Sequence, residues 1–197
     1  MAKTLSAIRG IVRQFLRDEY TGNTYEFEPD ELDLHISKCL EEISRRRPYE
    51  DRETVVSDGT KEVDISSIED LTGDKVEKAE YPVGNDPPDY RDVSIFGTTL
   101  RIKVDTTPTL GANIYLYCHK VHSLTESLST LSPDLEGVLV EGVVAYAAQA
   151  WLNKMRAQIV PASIRLYQGW ADKHYAIYQN SLRDITPQKA WKFYPRD

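Results

Sequence analysis

The chain has 197 residues, of which 31 are acidic and 24 basic, giving a net charge of −7. That balance argues against general nucleic-acid binding, whose affinity comes chiefly from neutralising phosphates. With 28% charged residues and a mean hydropathy of −0.48 the composition predicts a soluble protein, and no apolar run reaches the ~18–20 residues of a bilayer-spanning helix.

The N-terminal "MAKTLSAIRGIVRQFLRDEY" lacks the unbroken apolar stretch and small-residue cleavage site of a secretory signal. Cys39 and Cys118 therefore read as reduced, buried thiols rather than a disulfide. From Thr4 to about Arg17, the spacing of Leu5, Ile8, Ile11, Val12, Phe15 and Leu16 predicts a helix with one apolar stripe and Thr4 as N-cap. "EYTGNTYEFEP" is a turn-rich connector. A second helix starts at Pro29, with Asp30, Glu31 and Asp33 at the positive end of its dipole. Leu32, Ile36, Cys39, Leu40 and Ile43 form its buried stripe, and Pro48 stops it after Arg45, Arg46 and Arg47.

From about Arg52 to Val121 the apolar period changes from helical to alternating. "ETVVSDGTKEVDI" reads as two short strands around an Asp-Gly turn, "DKVEKAEYPV" as a third and "YRDVSIF" as a fourth. "TTLRIKVD" follows beyond a hinge at Gly97, and "ANIYLYCHKV" closes the set with Ile114, Leu116 and Cys118 on one face. Ser132, Pro133, Asp134 and Glu136 then announce a third helix, apolar around most of its girth and rich in Gly and Ala, hence central. After Pro161 a last helix runs from about Ser163 to Asp184. Leu166, Trp170, Ile177 and Leu182 line one side of it, with Tyr167, His174 and Tyr178 beside them. The expected class is α+β: a bundle of four helices (residues 1–51 and 122–186), an inserted antiparallel β unit (52–121) and an extended C-terminal tail (187–197).

Catalytic signatures are thin. There is no Gly-rich phosphate loop, G-x-S-x-G elbow or H-E-x-x-H helix. His35, His119, His122 and His174 are scattered over three kinds of element; His119 and His122 are close in sequence, but no partner Cys, His or Asp completes a metal site with them. Acid pairs such as Glu41 with Glu42, or Asp30 with Glu31, read as solvated faces. The expectation is a protein with no enzymatic activity, catalytic residue, cofactor or metal.

Two features call for a partner. Arg45, Arg46 and Arg47 either complement the helix dipole or form forked ion pairs with a neighbouring subunit. The final "KAWKFYPRD" interleaves Lys189, Lys192 and Arg196 with Trp191, Phe193 and Tyr194. Trp191, Phe193 and Tyr194 either fold back onto their own helices as a satellite cluster or dock on another chain. Trp, Tyr and Arg are enriched at binding hot spots, and Pro187 and Pro195 favour an extended strap, which favours docking.

"DELDLHISKCLEEISRRRPYE" and "HSLTESLSTLSPDLEGVLVEGVVAYAAQAWL", with a strand-rich block between them, resemble the head-to-tail adaptor (connector, or head-completion) proteins of tailed bacteriophages. The most characteristic pieces are "EISRRRP" and the "STL-x-P-x-L-E" entry to the third helix. The resemblance implies an adaptor-type helical bundle and a structural virion protein of the neck, present in the host cytoplasm during assembly. Such a protein forms a ring, commonly a dodecamer, beneath the portal protein. It extends the DNA channel used in packaging and ejection, and connects to stopper or tail proteins. It also implies that Lys189, Trp191, Lys192, Phe193, Tyr194 and Arg196 bind portal. On the ion-pair reading above, Arg45, Arg46 and Arg47 would join neighbouring adaptor subunits. An acidic wall would let double-stranded DNA slide without sequence-specific binding, and no membrane is involved. Two rival readings are another neck protein (a stopper or tail-completion protein) and a small metal-dependent hydrolase or nuclease using His119 or His122 with Asp89 or Asp92.

Overall fold

The computed structural model describes residues 3–18, 27–155 and 161–185, without the side chains of 72–75, 161–163 and 166. The chain divides into two units. One takes the sequence up to Arg47 and again from His122; the other is Pro48–Val121.

The helical unit contains α1 (Leu5–Leu16), α2 (Pro29–Arg46), α3 (Pro133–Met155) and α4 (Pro161–Asp184). Thr4 caps α1 by accepting a hydrogen bond from the Ala7 amide, and Arg17 ends it in the left-handed region at φ 55°. Pro29 opens α2 inside a capping box made by Glu28 and Glu31, which satisfies amides that have no partner within the helix. The α3 helix packs against each of the other three helices. Leu135, Leu139, Val143, Val144 and Ala147 on α3 are buried among Ile8, Val12, Leu32, Ile43, Tyr178 and Leu182.

Gly142 shows how tight that packing is. A Cβ there would stand 2.6 Å from Cε2 of Tyr178 and 2.8 Å from Sγ of Cys39, so only glycine lets α2 and α4 both close on α3. The same enclosure explains a departure from the sequence reading. By length and composition α3 is apolar enough to cross a bilayer, with a mean hydropathy of 1.2, but 61% of that stretch is buried within the protein. On α4 the buried stripe is Ala171, His174, Tyr178 and Leu182, whereas Ile177 faces outward.

The strand unit holds seven strands: β1 (Tyr49–Val56), β2 (Glu62–Asp64), β3 (Leu71–Glu80), β4 (Tyr90–Arg91), β5 (Val93–Phe96), β6 (Thr99–Ile102) and β7 (Asn113–Lys120). They form two antiparallel sheets, ordered β1-β7-β3-β4 and β2-β6-β5. Ile114, Leu116 and Cys118 of β7 face Val76 and Ala79 of β3 and Leu100 and Ile102 of β6 in one core. Two local expectations change. The segments flanking Asp58 and Gly59 are not partners: β1 pairs with β7 and β2 with β6, so the chain switches sheets at that turn. "YRDVSIF" breaks at the exposed Asp92, sending β4 to the first sheet and β5 to the second.

These elements correct the expected fold class. Among the described residues the fold is mixed, with four helices and two antiparallel sheets, rather than a four-helix bundle carrying a small inserted β unit. The physical reason is that the strands enclose an apolar core of their own. A segment with its own core is a second structural unit, not an ornament on the helices.

Candidate functional site

At the C-terminal end of α1, Phe15 and Leu16 leave the helix beside Arg17. Phe27, at the entry to α2, comes back to the same place because Asp18 accepts a hydrogen bond from the Phe27 amide and pairs with Arg13, 3.4 Å from its Nε. Ala148 and Trp151 of α3 and Tyr167 and Trp170 of α4 complete the ring. Together these residues line a cavity of about 380 Å³.

Its walls are aromatic and braced. Trp151 and Tyr167 meet edge to face with ring centroids 5.0 Å apart. Trp170 lies 4.5 Å from the His174 ring, which also meets Phe15 at 6.0 Å. His174 is fixed in turn by Glu141, with Nδ1 2.6 Å from Oε2. Phe15 and Tyr167 are each 45% exposed, so the cavity opens to the surface. Phe27 and Trp151 also border a second, smaller hollow of about 200 Å³ with Leu34, His35, Ala147 and Ala150, and the Lys154–Glu31 ion pair at 3.3 Å lines it too. Such a surface suits an aromatic or proline-rich segment: rings offer apolar area, edges for stacking and, through Arg17, a cation over π faces.

The sequence reading missed this groove. It placed Phe15 in the apolar stripe of α1 and Trp170 on the apolar side of α4, and spacing alone does not tell a half-covered rim from a core.

A second cluster centres on Glu42, which the sequence read as solvated. Its carboxylate accepts hydrogen bonds from the hydroxyls of Tyr146, at 2.9 and 3.0 Å, and Tyr178, at 2.8 Å. Burial first, and these contacts next, hold the Tyr146 phenol well above the ordinary tyrosine range. Burial pushes the Cys39 thiol up to about 12 and that of Cys118 to about 11, which leaves both as unreactive packing groups. Glu136 is nearly fully buried and is held by the Lys3 ammonium and by the Lys3 amide at 2.7 Å.

The histidines named for hydrolysis lie in different settings. His119, in the strand unit, faces Glu77 with Nε2 3.6 Å from the carboxylate. His122 is buried in the helical unit, with Nδ1 3.1 Å from Thr130 Oγ1 and Nε2 2.9 Å from the Arg47 carbonyl. Asp92 pairs with Lys78 at 2.8 Å, and Asp89 with Arg91. Among the described residues no group of three or more His, Cys, Asp or Glu is arranged to hold a metal ion.

Of the arginine run, Arg47 is engaged within its own unit, 2.8 Å from Asp134. Arg45 makes a loose pair with Glu41 at 3.6 Å, and both Arg45 and Arg46 are exposed. Lys189, Trp191, Lys192, Phe193, Tyr194 and Arg196 lie outside the described residues. Neither the models of known protein families nor the curated proteins include a match to this chain.

Proposed function

We propose that this chain is a structural protein of a tailed-bacteriophage neck, a head-to-tail adaptor that assembles as a ring beneath the portal and prolongs the DNA channel. The observation that carries the reading is in the sequence: "EISRRRP" at the end of α2 and "STL-x-P-x-L-E" at the entry to α3 resemble that family. The net charge of −7 supports it, since a wall with excess carboxylates repels the phosphates of passing DNA. So does the use of polar groups in structural roles: the buried Glu136 with Lys3, the buried Asp18 with Arg13, and the half-buried Glu42 with two tyrosines.

In this reading Arg45 and Arg46 meet carboxylates of the neighbouring subunit, while Arg47 stays with Asp134. Trp191, Phe193 and Tyr194 dock on portal, flanked by Lys189, Lys192 and Arg196. Purified portal mixed with the full chain is expected to gain a ring of density in negative-stain images. Deleting residues 187–197 should leave a folded, helical chain while abolishing that ring. A wild-type chain that leaves portal bare, or a deleted chain that still decorates it, would overturn the assignment.

A further inference from the structure

Phe96 is the most exposed large apolar side chain among the described residues, at 91%. The pairing of β5 with β6 sets its place. Phe96 and Thr99 are cross-strand partners, so Gly97 and Thr98 form a two-residue turn, with Gly97 at φ 62°, a conformation glycine adopts freely. The Ile65 amide braces the turn by donating to the Thr98 carbonyl at 2.9 Å. Alternation turns Val93, Ile95, Leu100 and Ile102 towards the core. Glu62, Asp64, Ser94, Phe96, Thr99 and Arg101 point the other way, and all six are exposed. Phe96 is the one apolar residue of that outer face, a phenyl ring at a hairpin tip that the strand unit's own core does not use.

The helical unit carries a matching recess. Its aromatic groove of about 380 Å³ falls within the ~300–1,000 Å³ of pockets that enclose whole small ligands, and its rings accept edge-to-face contacts. Arg17 lines the groove, is exposed and makes no ion pair among the described residues. Asp64 shares the outer face with Phe96 two strands away, about 10 Å at the usual strand spacing. Its carboxylate accepts hydrogen bonds from Ser66 and pairs with no cation among the described residues. A chain that inserts Phe96 therefore brings an acid alongside for Arg17. The charge of the two units points the same way. Pro48–Val121 holds 15 acidic and 8 basic residues, a net −7, while the rest of the chain has 16 of each and is neutral. Two strand units repel each other, whereas a strand unit meets no net repulsion from a helical one. We infer that copies of this chain join head to tail, with Phe96 of one inserted between Phe15, Phe27, Trp151, Tyr167 and Trp170 of the next. The two surfaces differ, so every copy keeps one free hairpin or groove for a further copy, and such a contact closes into a ring or runs on as a filament. The pairing stands on the hairpin, the groove and the division of charge. That the assembly is the ring beneath portal rests on the proposed adaptor role.

The test needs no portal, which keeps its outcome separate from that of the adaptor reading. Sedimentation velocity of the full chain at rising concentration should show wild type growing past the dimer. Phe96→Ser and Tyr167→Ser each change an exposed or half-exposed side chain, and both should keep the circular dichroism of wild type. Each variant alone should associate at least about tenfold more weakly, as on loss of an anchoring aromatic. Mixed in equal amounts they should form a dimer and nothing larger, because one retains only the groove and the other only the hairpin. If Tyr167→Ser loses helicity, Arg17→Asp at an exposed position takes its place, setting like charge against Asp64. A wild type that stays monomeric or stops at the dimer would overturn the inference. So would a Phe96→Ser chain that associates as wild type does, or a mixture no more associated than its parts.

Discussion

Gly142 is the residue on which the helical packing is most exposed to a single change. Its missing Cβ leaves room for Tyr178 and Cys39 to meet α3 from two sides. Gly142→Ala should therefore destabilise the chain despite alanine's better helix propensity, by about 1–3 kcal/mol as for other overpacked cores. Chemical denaturation would show it, and an unchanged midpoint would mean that the tyrosine ring yields freely. His122 makes a different demand. Desolvation lowers its pKa below the ordinary histidine value, and the nearby Arg47 charge adds to this against its hydrogen bonds. The unfolded chain then takes up a proton before the folded one does. Stability is complete above about pH 6.5 and declines as the pH falls through the histidine range. His122→Asn should show a smaller loss of melting temperature between pH 7.5 and 5.5 than wild type. Part of the loss persists, because His35 is shifted the same way by burial.

Among the elements, β7 and α3 play matching parts in their separate units. Strand β7 sits between β1 and β3 and carries Ile114, Leu116 and Cys118 into the core, all nearly or wholly buried. Leu116→Ala removes a fully enclosed side chain and should cost about 2–5 kcal/mol. Amide exchange should quicken across β1, β3 and β7, and uniform exchange with no loss in those strands would contradict the assigned pairing. How legible these elements were varies with their kind. α1, α2 and α3 could be read closely because a capping residue or a first-turn proline marks where each begins: Thr4 for α1, Pro29 for α2, and Ser132 with Pro133 for α3. The strands could be read as strands, but partner choice could not, since alternation says which face is apolar and nothing about which neighbour supplies the hydrogen bonds. The groove was illegible for a related reason: Phe15 and Trp170 obey helical spacing whether they meet a neighbour or an opening.

For the whole molecule, the strand unit is entered and left at one place. Tyr49 and Lys120 are cross-strand partners, and His122 Nε2 lies 2.9 Å from the Arg47 carbonyl. Residues Pro48–Val121 can therefore be replaced by a short Gly-Ser linker without stretching the helical unit. The shortened chain should remain helical and melt cooperatively, as read by circular dichroism. A non-cooperative melt would show that the helices depend on the strands for their fold. The same construction gives the proposed ring a sharp test, because Arg45, Arg46 and the tail all lie outside the excised segment and portal decoration should survive its loss.

By itself the sequence determined the helices, the change to alternating period near residue 50, the acidic surface and the aromatic-cationic ending. Each is written in local composition or short-range spacing, where one residue constrains the next. Only the tertiary structure decided that seven strands make two sheets around a separate core, that Glu42 gathers two tyrosines, and that Arg47 answers to Asp134. It also decided that five aromatic rings from α1, α3, α4 and the entry to α2 converge on one groove. Those facts join residues far apart along the chain, and such pairings are set by packing that no local pattern encodes.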